Sequence, residues 1–284
     1  MRIQLGWFDE KLARRVTAIA AQELAPADAR NAATVMVVRN SPVGAVASAG
    51  VEVLMLKRPA SMKFAAGAYV FPGGAVDPAD GEAPIAWHGP DAAEFGRQLG
   101  APPELARALV CAAVRETFEE AGVLLAGTPD GEIVVPDGPS WAADRDALTD
   151  GSLTFAELLA SRGLVLRADL LTPWARWITP DAEPRRFDTR FFAAVLPAGQ
   201  QVRGHEAEAD KIAWLRPGDA LDAARKGEMS LLPPTATTLA EFAAAAGLPD
   251  IVGRKRTVTP IQPVLVSEDG QAWLDVPDDV GYPL

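Results

Sequence analysis

The apolar positions change period along the chain, and the changes mark out elements. Residues 33–39, Ala-Thr-Val-Met-Val-Val-Arg, are rich in β-branched side chains and predict a strand. A Pro/Gly turn region over 40–50 separates it from 51–58, which predicts an antiparallel partner. Residues 68–71 predict a short strand running into a Gly-Gly loop, after which 90–99 and 103–121 switch to helical spacing. Residues 126–151, rich in Gly, Pro and Asp, predict loop with a short strand near Ile133. A short helix over 154–161 follows, then strands over 186–196 and 211–215. The helix predicted over 217–226 has an acidic first turn suited to its dipole. An Ala-rich helix over 235–246 closes at Gly247. Residues 261–266 and 272–274 predict a hairpin turning at Glu268-Asp269-Gly270, and residues 8–24 predict an amphipathic helix. There are no repeats and no long low-complexity linker. Strands, helix, strands, helix in this order predict an α/β fold with a mixed sheet.

The 103–121 segment carries the most informative chemistry. Arg115-Glu116-Thr117-Phe118-Glu119-Glu120-Ala121-Gly122-Val123 places carboxylates at i, i+3 and i+4. At ~100° per residue these share one helix face, while Phe118 points the other way with Val110, Val114 and Ala121 near it. Like charges one turn apart cost a few tenths of a kcal/mol on a bare helix. A hard divalent cation, which takes oxygen ligands, offsets that cost. A solvated acidic face is the competing reading. Against it stand Phe71-Pro72-Gly73-Gly74 after a short strand, the Arg before the first Glu, and the Gly after the last pair. Together these read as strand, tight loop, helix and C-cap.

These residues resemble the Nudix hydrolases, whose box runs G-x5-E-x7-R-E-U-x-E-E-x-G-U with U a bulky apolar residue. Gly74 matches the opening glycine, and Arg115, Glu116, Glu119, Glu120, Gly122 and Val123 match the second half. Thr117 stands where a bulky apolar residue is usual. Asp80 stands where the first Glu belongs, one methylene shorter and inside the turn-forming run Asp77-Pro78-Ala79-Asp80-Gly81. Thirty-four residues separate Asp80 from Arg115 where the box has seven, so an insertion of about 27 residues splits it. Upstream, Leu54-Met55-Leu56-Lys57-Arg58, Lys63, Gly67 and Phe71-Pro72-Gly73-Gly74 are similar to the coenzyme A diphosphatase signature, L-L-T-x-R-[SA]-x3-R-x3-G-x3-F-P-G-G. Leu56 replaces Thr, Pro59 replaces Ser or Ala, and Lys63 replaces the second Arg, a cation without the bidentate fork. A split box also marks the acyl-coenzyme A diphosphatase branch, which residues 174–180, 185–192 and 232–235 resemble too. The resemblance covers roughly residues 32–278.

The resemblance implies a Nudix-type α/β/α sandwich with a mixed sheet, a helical insertion and a C-terminal extension. On that basis residues 1–30 are an N-terminal helical extension, 31–230 the Nudix domain with its box interrupted at about 81–103, and 231–284 an extension packing on the same domain. The implied activity is metal-dependent hydrolysis of a nucleoside-diphosphate-linked substrate. Coenzyme A or acyl-coenzyme A fits best, giving 3′,5′-ADP and 4′-phosphopantetheine or its acyl form. ADP-ribose, NADH or nucleoside triphosphates are alternative substrates. A non-catalytic nucleotide-sensing module is a further alternative, and the intact Arg-Glu-x-x-Glu-Glu argues against it.

The implied roles can be placed residue by residue. Glu116 and Glu120, with a carbonyl of the loop at Gly74, are the expected ligands of Mg²⁺ or Mn²⁺. Glu119 is a further ligand or the base. Arg115 is an orienting residue, paired to a carboxylate of its own helix or of the loop. Glu206 or Glu208, in the acidic loop before Trp214, is the other candidate base, with His205 a weaker one. Arg58, Lys63, Gly73 and Arg186 are expected toward substrate phosphates, with Arg176 and Arg190 further candidates. Trp174, Trp177 and Phe187 are stacking candidates for adenine, with core packing the competing reading. The insertion leaves the chain beside the metal loop, where a lid or a substrate-selecting wall would sit.

Composition narrows the picture at its edges. The net charge of -11 disfavours binding to nucleic acid or anionic membranes, which demands clustered Lys and Arg. It leaves a nucleotide substrate open, because a metal compensates the phosphate charge. One cysteine, Cys111, allows no intrachain disulfide, and two histidines leave no Cys/His zinc set. There is no apolar leader and no membrane-length apolar run, so a cytoplasmic, reducing setting is expected. The N-terminal helix and the C-terminal extension are the candidate elements for a homodimer.

Overall fold

The computed structural model describes residues 1–4, 10–41, 50–60, 65–82, 85–204, 211–252, 254–268 and 271–284. The chain enters through β1 (Arg2–Gln4) and α1 (Glu10–Ala20), then the long β2 (Ala29–Asn40) and β3 (Val51–Lys57). β4 (Tyr69–Val70), β5 (Gly73–Ala75), α2 (Ala79–Glu82), β6 (Trp87–His88), α3 (Ala92–Leu99) and α4 (Pro103–Ala121) follow. β7 (Ala126–Gly127), α5 (Pro139–Thr149), α6 (Phe155–Arg162) and β8 (Val165–Arg167) lead to β9 (Thr172–Ile178) and β10 (Arg186–Val195). Then come β11 (Lys211–Leu215), α7 (Pro217–Arg225), α8 (Pro233–Ala243), α9 (Leu248–Val252), β12 (Pro260–Ile261), β13 (Val264–Glu268) and β14 (Gln271–Asp275).

The main sheet is mixed, in the order β11-β3-β2-β10-β9-β12, with β4 added to β3 and β5 added to β2. Its axis is the parallel pair β2–β10, in register from Arg186↔Ala29 to Val195↔Val38. Successive strand residues face opposite sides. Ala33, Val35 and Val37 meet Leu109, Val110, Ala113, Val114 and Phe118 of α4 in one core. Met36 and Val38 face the other way, into a core with Leu221 of α7, Leu239 and Phe242 of α8 and Ile251 of α9. Helices thus cover both faces, which is why β2 reads as a nearly unbroken apolar run. The sandwich implied by the sequence is the architecture found.

The split in the box is filled by structure. β6 joins β8 and β7 in a small sheet of order β6-β8-β7, and α3 packs on α4. Phe95 and Leu99 of α3 are buried, and Phe95 meets Trp87 and Phe192 edge-on at 6.1 and 6.5 Å. Burying a side chain of this size contributes roughly 1.5–3 kcal/mol. That anchoring counts against a hinged lid: the described part of the insertion belongs to the core.

Two further differences have plain causes. The segment expected as loop over 126–151 contains α5, which starts at Gly138-Pro139 and buries only Arg145 and Leu148. So faint an apolar period does not announce a helix. Residues 1–30 are not purely helical: β1 pairs with β14, and Arg2 bridges Asp275 and Glu268, both at 2.7 Å. A three-residue strand is too short to show alternation. The tip of the β13–β14 hairpin, Asp269-Gly270, lies outside the described residues.

Candidate active site

α4 presents the carboxylates because both its ends are defined and its other sides are sealed. Pro103 opens it, a position where the missing N–H is no loss. Gly122 ends it at φ +68°, its N–H donating to Phe118 O at 2.9 Å. Arg145 of α5 reaches the same end and donates from Nε to Glu119 O at 2.7 Å. That supplies a cation where the helix dipole favours one. Thr117 is fully buried and turns its hydroxyl back to Ala113 O at 2.7 Å. The polar atom is thereby satisfied at a position where bulk is usual.

Against this helix lies β5, and its register decides what each glycine does. Val35 N donates to Pro72 O and Val76 N to Asn31 O, both at 2.9 Å. In an antiparallel pair every second residue bonds its partner strand. Residues 72, 74 and 76 therefore face β2, while Gly73 and Ala75 turn N–H and C=O outward. The observed bonds agree: Gly73 N donates to Glu120 Oε2 at 2.8 Å, and Ala75 O accepts from Arg115 at 3.2 Å. The carbonyl beside the carboxylates is therefore Gly73's, not that of Gly74 expected from the sequence. Gly74 contributes by having no side chain, since a Cβ there would stand 2.5 Å from Glu116 Oε1.

Arg115 ties the two halves of the box together. Its Nε and NH2 groups grip both oxygens of Asp80 at 2.9 and 3.0 Å. Its NH1 group donates to Glu116 Oε1 at 2.9 Å and Glu119 Oε1 at 3.1 Å. Asp80 is 2% exposed, and its shorter arm is brought into range by the α2 turn, where Asp77 N donates to Asp80 Oδ2 at 2.8 Å. Burial pulls the Arg115 guanidinium down. The hydrogen bond to Asp80 and the charges of Glu116, Asp80 and Glu119 more than reverse this, raising it well above its ordinary value. Arg115 is a permanent cation among three carboxylates, Asp80, Glu116 and Glu119.

Other expected residues are not drawn into this cluster. Arg186 spends its donors on Thr179 O and Ala27 O, at 3.1 and 2.7 Å, and pairs with Asp181. It lies opposite Ala29, four residues along β2 from the Ala33 that pairs with Gly74, or about 13 Å at strand rise. Arg176 and Arg190 both pair with Asp188. Trp174 and Trp177 are buried in the core, Trp174 edge-on to Phe242 at 4.9 Å. Arg58 sits where β3 ends, its backbone N–H bonded to Ala68 O at 2.9 Å. Its Nε is buried with no hydrogen-bond partner among the described residues. Lys63, His205, Glu206 and Glu208 lie outside the described residues. Two wall residues of a nearby cavity, Arg30 and Asn31, escaped the sequence reading because neither belongs to a motif.

Three carboxylates on one helix face and an outward backbone carbonyl form an all-oxygen donor set, the kind a hard divalent cation takes. Among the described residues no three acidic side chains converge into a finished cation cage. They are spread instead between Arg115 and Gly73 N–H. The donor chemistry fits such an ion, with Glu116, Glu120 and the Gly73 carbonyl as the residues that would hold it.

Comparison with known proteins identifies the family. A family model described as the NUDT19 Nudix domain matches residues 90–242, more than half of the chain. The chain is 30% identical over 239 residues to the human acyl-coenzyme A diphosphatase NUDT19, covering 71% of this chain and 63% of that protein. It is 26% identical over 224 residues to the Xenopus laevis protein of the same name, covering 64% and 57%. It thus spans less than two thirds of the length of these curated relatives. The crystal structure of a NUDIX hydrolase from Alicyclobacillus acidocaldarius superposes with a TM-score of 0.66 at 33% identity, over 81% of this chain and 98% of that one. Among the described residues no helix is long and apolar enough to cross a membrane.

Proposed function

The chain belongs to the Nudix hydrolase family, and from that premise we propose that it hydrolyses the diphosphate of coenzyme A or an acyl-coenzyme A. The products would be 3′,5′-ADP and 4′-phosphopantetheine or its acyl form. The observation that carries the hydrolytic part is the closure of the split box, in which Arg115 joins Asp80 to Glu116 and Glu119 while Glu120 takes the Gly73 N–H. Two things support the coenzyme A part. Relatives bearing the name acyl-coenzyme A diphosphatase match most of the chain. Arg58, at the signature position, keeps a buried Nε without a partner among the described residues. A buried unmet donor costs roughly 1–3 kcal/mol, which a substrate phosphate would recover.

Cleaving a phosphoanhydride requires a placed water, neutralised phosphate oxygens and help for the departing phosphate. Bound Mg²⁺ or Mn²⁺ supplies Lewis-acid neutralisation of those oxygens. The chain's own residues do the placing. Glu116 and Glu120 present their oxygens one helical turn apart, and Gly73 fixes Glu120 through its N–H. Arg115 holds Glu116 and Glu119 in one orientation and is itself held by Asp80. Glu119 is the base candidate among the described residues; Glu206 and Glu208 are the others. Arg58 and Lys63 bind substrate phosphate. A cytoplasmic setting accompanies this reading.

The test is product analysis by mass spectrometry, with Mg²⁺ or Mn²⁺ and a panel of coenzyme A, acetyl-coenzyme A, ADP-ribose, NADH and nucleoside triphosphates. Metal-dependent release of 3′,5′-ADP with a pantetheine phosphate is expected. Preferential release of AMP from ADP-ribose or NADH would discard the coenzyme A assignment and keep the Nudix chemistry.

A further inference from the structure

The last turn of α4 carries two of the three carboxylates, Glu119 and Glu120, with Glu116 one turn earlier. Last turns are where helices fray, because their final carbonyls have no partner within the helix. In this chain the partners come from beyond it. Phe118 O accepts the Gly122 N–H and Ala121 O the Arg203 N–H, both at 2.9 Å. Glu119 O accepts from Arg145 Nε at 2.7 Å. Of these three donors Arg145 is the one side chain, and it is buried.

Arg145 belongs to α5, and Trp141 stands four residues before it, so the two side chains share one face of that helix. The Trp141 ring meets Phe118 edge-on at 6.1 Å. The pair thus touches consecutive residues of the last turn, Phe118 and Glu119. Trp141 is in turn covered by Arg162 of α6, whose guanidinium lies 4.1 Å from the ring centre and pairs with Asp144 of α5. α5 is therefore held between α6 and the end of α4. Glu119 is consequently fixed at both ends: Arg115 NH1 donates to its carboxylate at 3.1 Å and Arg145 to its carbonyl.

We propose that Arg145 is a positioning residue for hydrolysis. From α5 it braces the last turn of α4, and so keeps Glu119 beside Arg115 and Glu120 on the Gly73 N–H. A guanidinium suits the task because it stays charged when buried and its planar N–H donors are fixed in direction. The inference rests on the carboxylate cluster being the reactive centre and is the same whichever nucleotide is cleaved.

Amide hydrogen exchange, without metal or substrate, tests the brace separately from the chemistry. The Gly73 N–H, bonded to Glu120 Oε2 at 2.8 Å, reports on the last turn. The Val35 N–H, bonded to Pro72 O at 2.9 Å, reports on the sheet beside it. Arg145→Ala should lower protection at Gly73 at least tenfold more than at Val35. A side chain that only adds stability acts through global opening, which Gly73 does not feel more than Val35. A loss shared equally, or confined to Val35, would therefore overturn the proposal. In steady state kcat should fall about tenfold with KM little changed, and millimolar guanidinium should restore it. Unchanged kcat in the variant would also overturn the proposal. A wild-type protein that hydrolyses nothing would instead sink the hydrolytic reading, while the exchange ratio still decides whether Arg145 holds Glu120 in place. If Arg145→Ala does not fold, Arg145→Lys keeps the charge and loses the planar donor. It should show the same preferential loss at Gly73 to a smaller degree, and an equal loss at both amides would count against the brace.

Discussion

The joined box and the segment around Arg58 are both patterns of cations and glycines, yet the fold treats them in opposite ways. In the box, Arg115 and Asp80 are each held more than once. Arg115 grips Asp80 with two bonds and also reaches Glu116, Glu119 and Ala75 O. Asp80 is bound a third time by Asp77 N. Arg58, by contrast, is tethered through its backbone while its buried Nε meets no hydrogen-bond partner among the described residues. Groups that must keep one geometry through a reaction are held on several sides. A group that waits for a ligand is left with donors to spare. The difference separates positioning from recognition, and substitutions at the two places should fail differently.

The largest effect belongs to Glu120. Glu120→Gln keeps the shape and still accepts the Gly73 N–H, so the melting temperature should move little. Metal-dependent hydrolysis should fall below detection, because an anionic oxygen is lost where the cation is held. Unchanged turnover would remove the metal-site assignment. Asp80→Asn comes next. It leaves Arg115 paired with Glu116 and Glu119 but removes the grip that aims it. Outer partners of this kind cost roughly 10–100-fold when lost. We expect kcat to fall by that range for every substrate alike, measured in steady state on coenzyme A and ADP-ribose. A loss confined to KM would show that Asp80 does not act through the cluster.

These two residues also show how far the sequence could be read. Glu116, Glu119 and Glu120 were legible because helical period alone puts them on one face. Asp80 was legible only as a candidate: thirty-four residues intervene, and nothing in a linear pattern says that α2 and α3 return the chain to its start. The choice between Gly73 and Gly74 was not legible, because it depends on which residues of β5 bond to β2. One step of register exchanges their roles. Arg186 looked like a phosphate ligand beside a strand, but it is used up by Thr179, across the β9–β10 turn, and by Ala27, far away in sequence.

The recognition side of the comparison is sharpened by Arg58→Ala. A hydrogen bond to a charged group is worth roughly 1.5–3 kcal/mol, about 10- to 100-fold. The loss should appear in kcat/KM for coenzyme A and be much smaller for ADP-ribose, since the positions of Glu116 and Glu120 do not depend on Arg58. Equal losses on both substrates would place Arg58 with the positioning residues and sink the coenzyme A assignment.

The smallest effect probes the joined box from beneath. Cys111 lies one turn before Arg115, 1% exposed. Burial pushes its thiol far above the ordinary value of 9.0; the nearby Asp80 charge adds to the rise, and Arg115 opposes it. Below that value the thiol is protonated in both folded and unfolded chains, and stability is indifferent to it. Above it the unfolded chain releases the proton while the native chain keeps it, so stability falls as pH rises. The slope is about 1.4 kcal/mol per pH unit. Cys111→Ala should abolish this part of the alkaline decline, measured as the difference between the two proteins' denaturation midpoints from about pH 8 to pH 10. Iodoacetamide should label the wild-type thiol only after denaturation. Rapid native labelling would mean that the floor beneath Asp80 and Arg115 opens readily, and the contrast between a rigid box and a receptive Arg58 would then lose its basis.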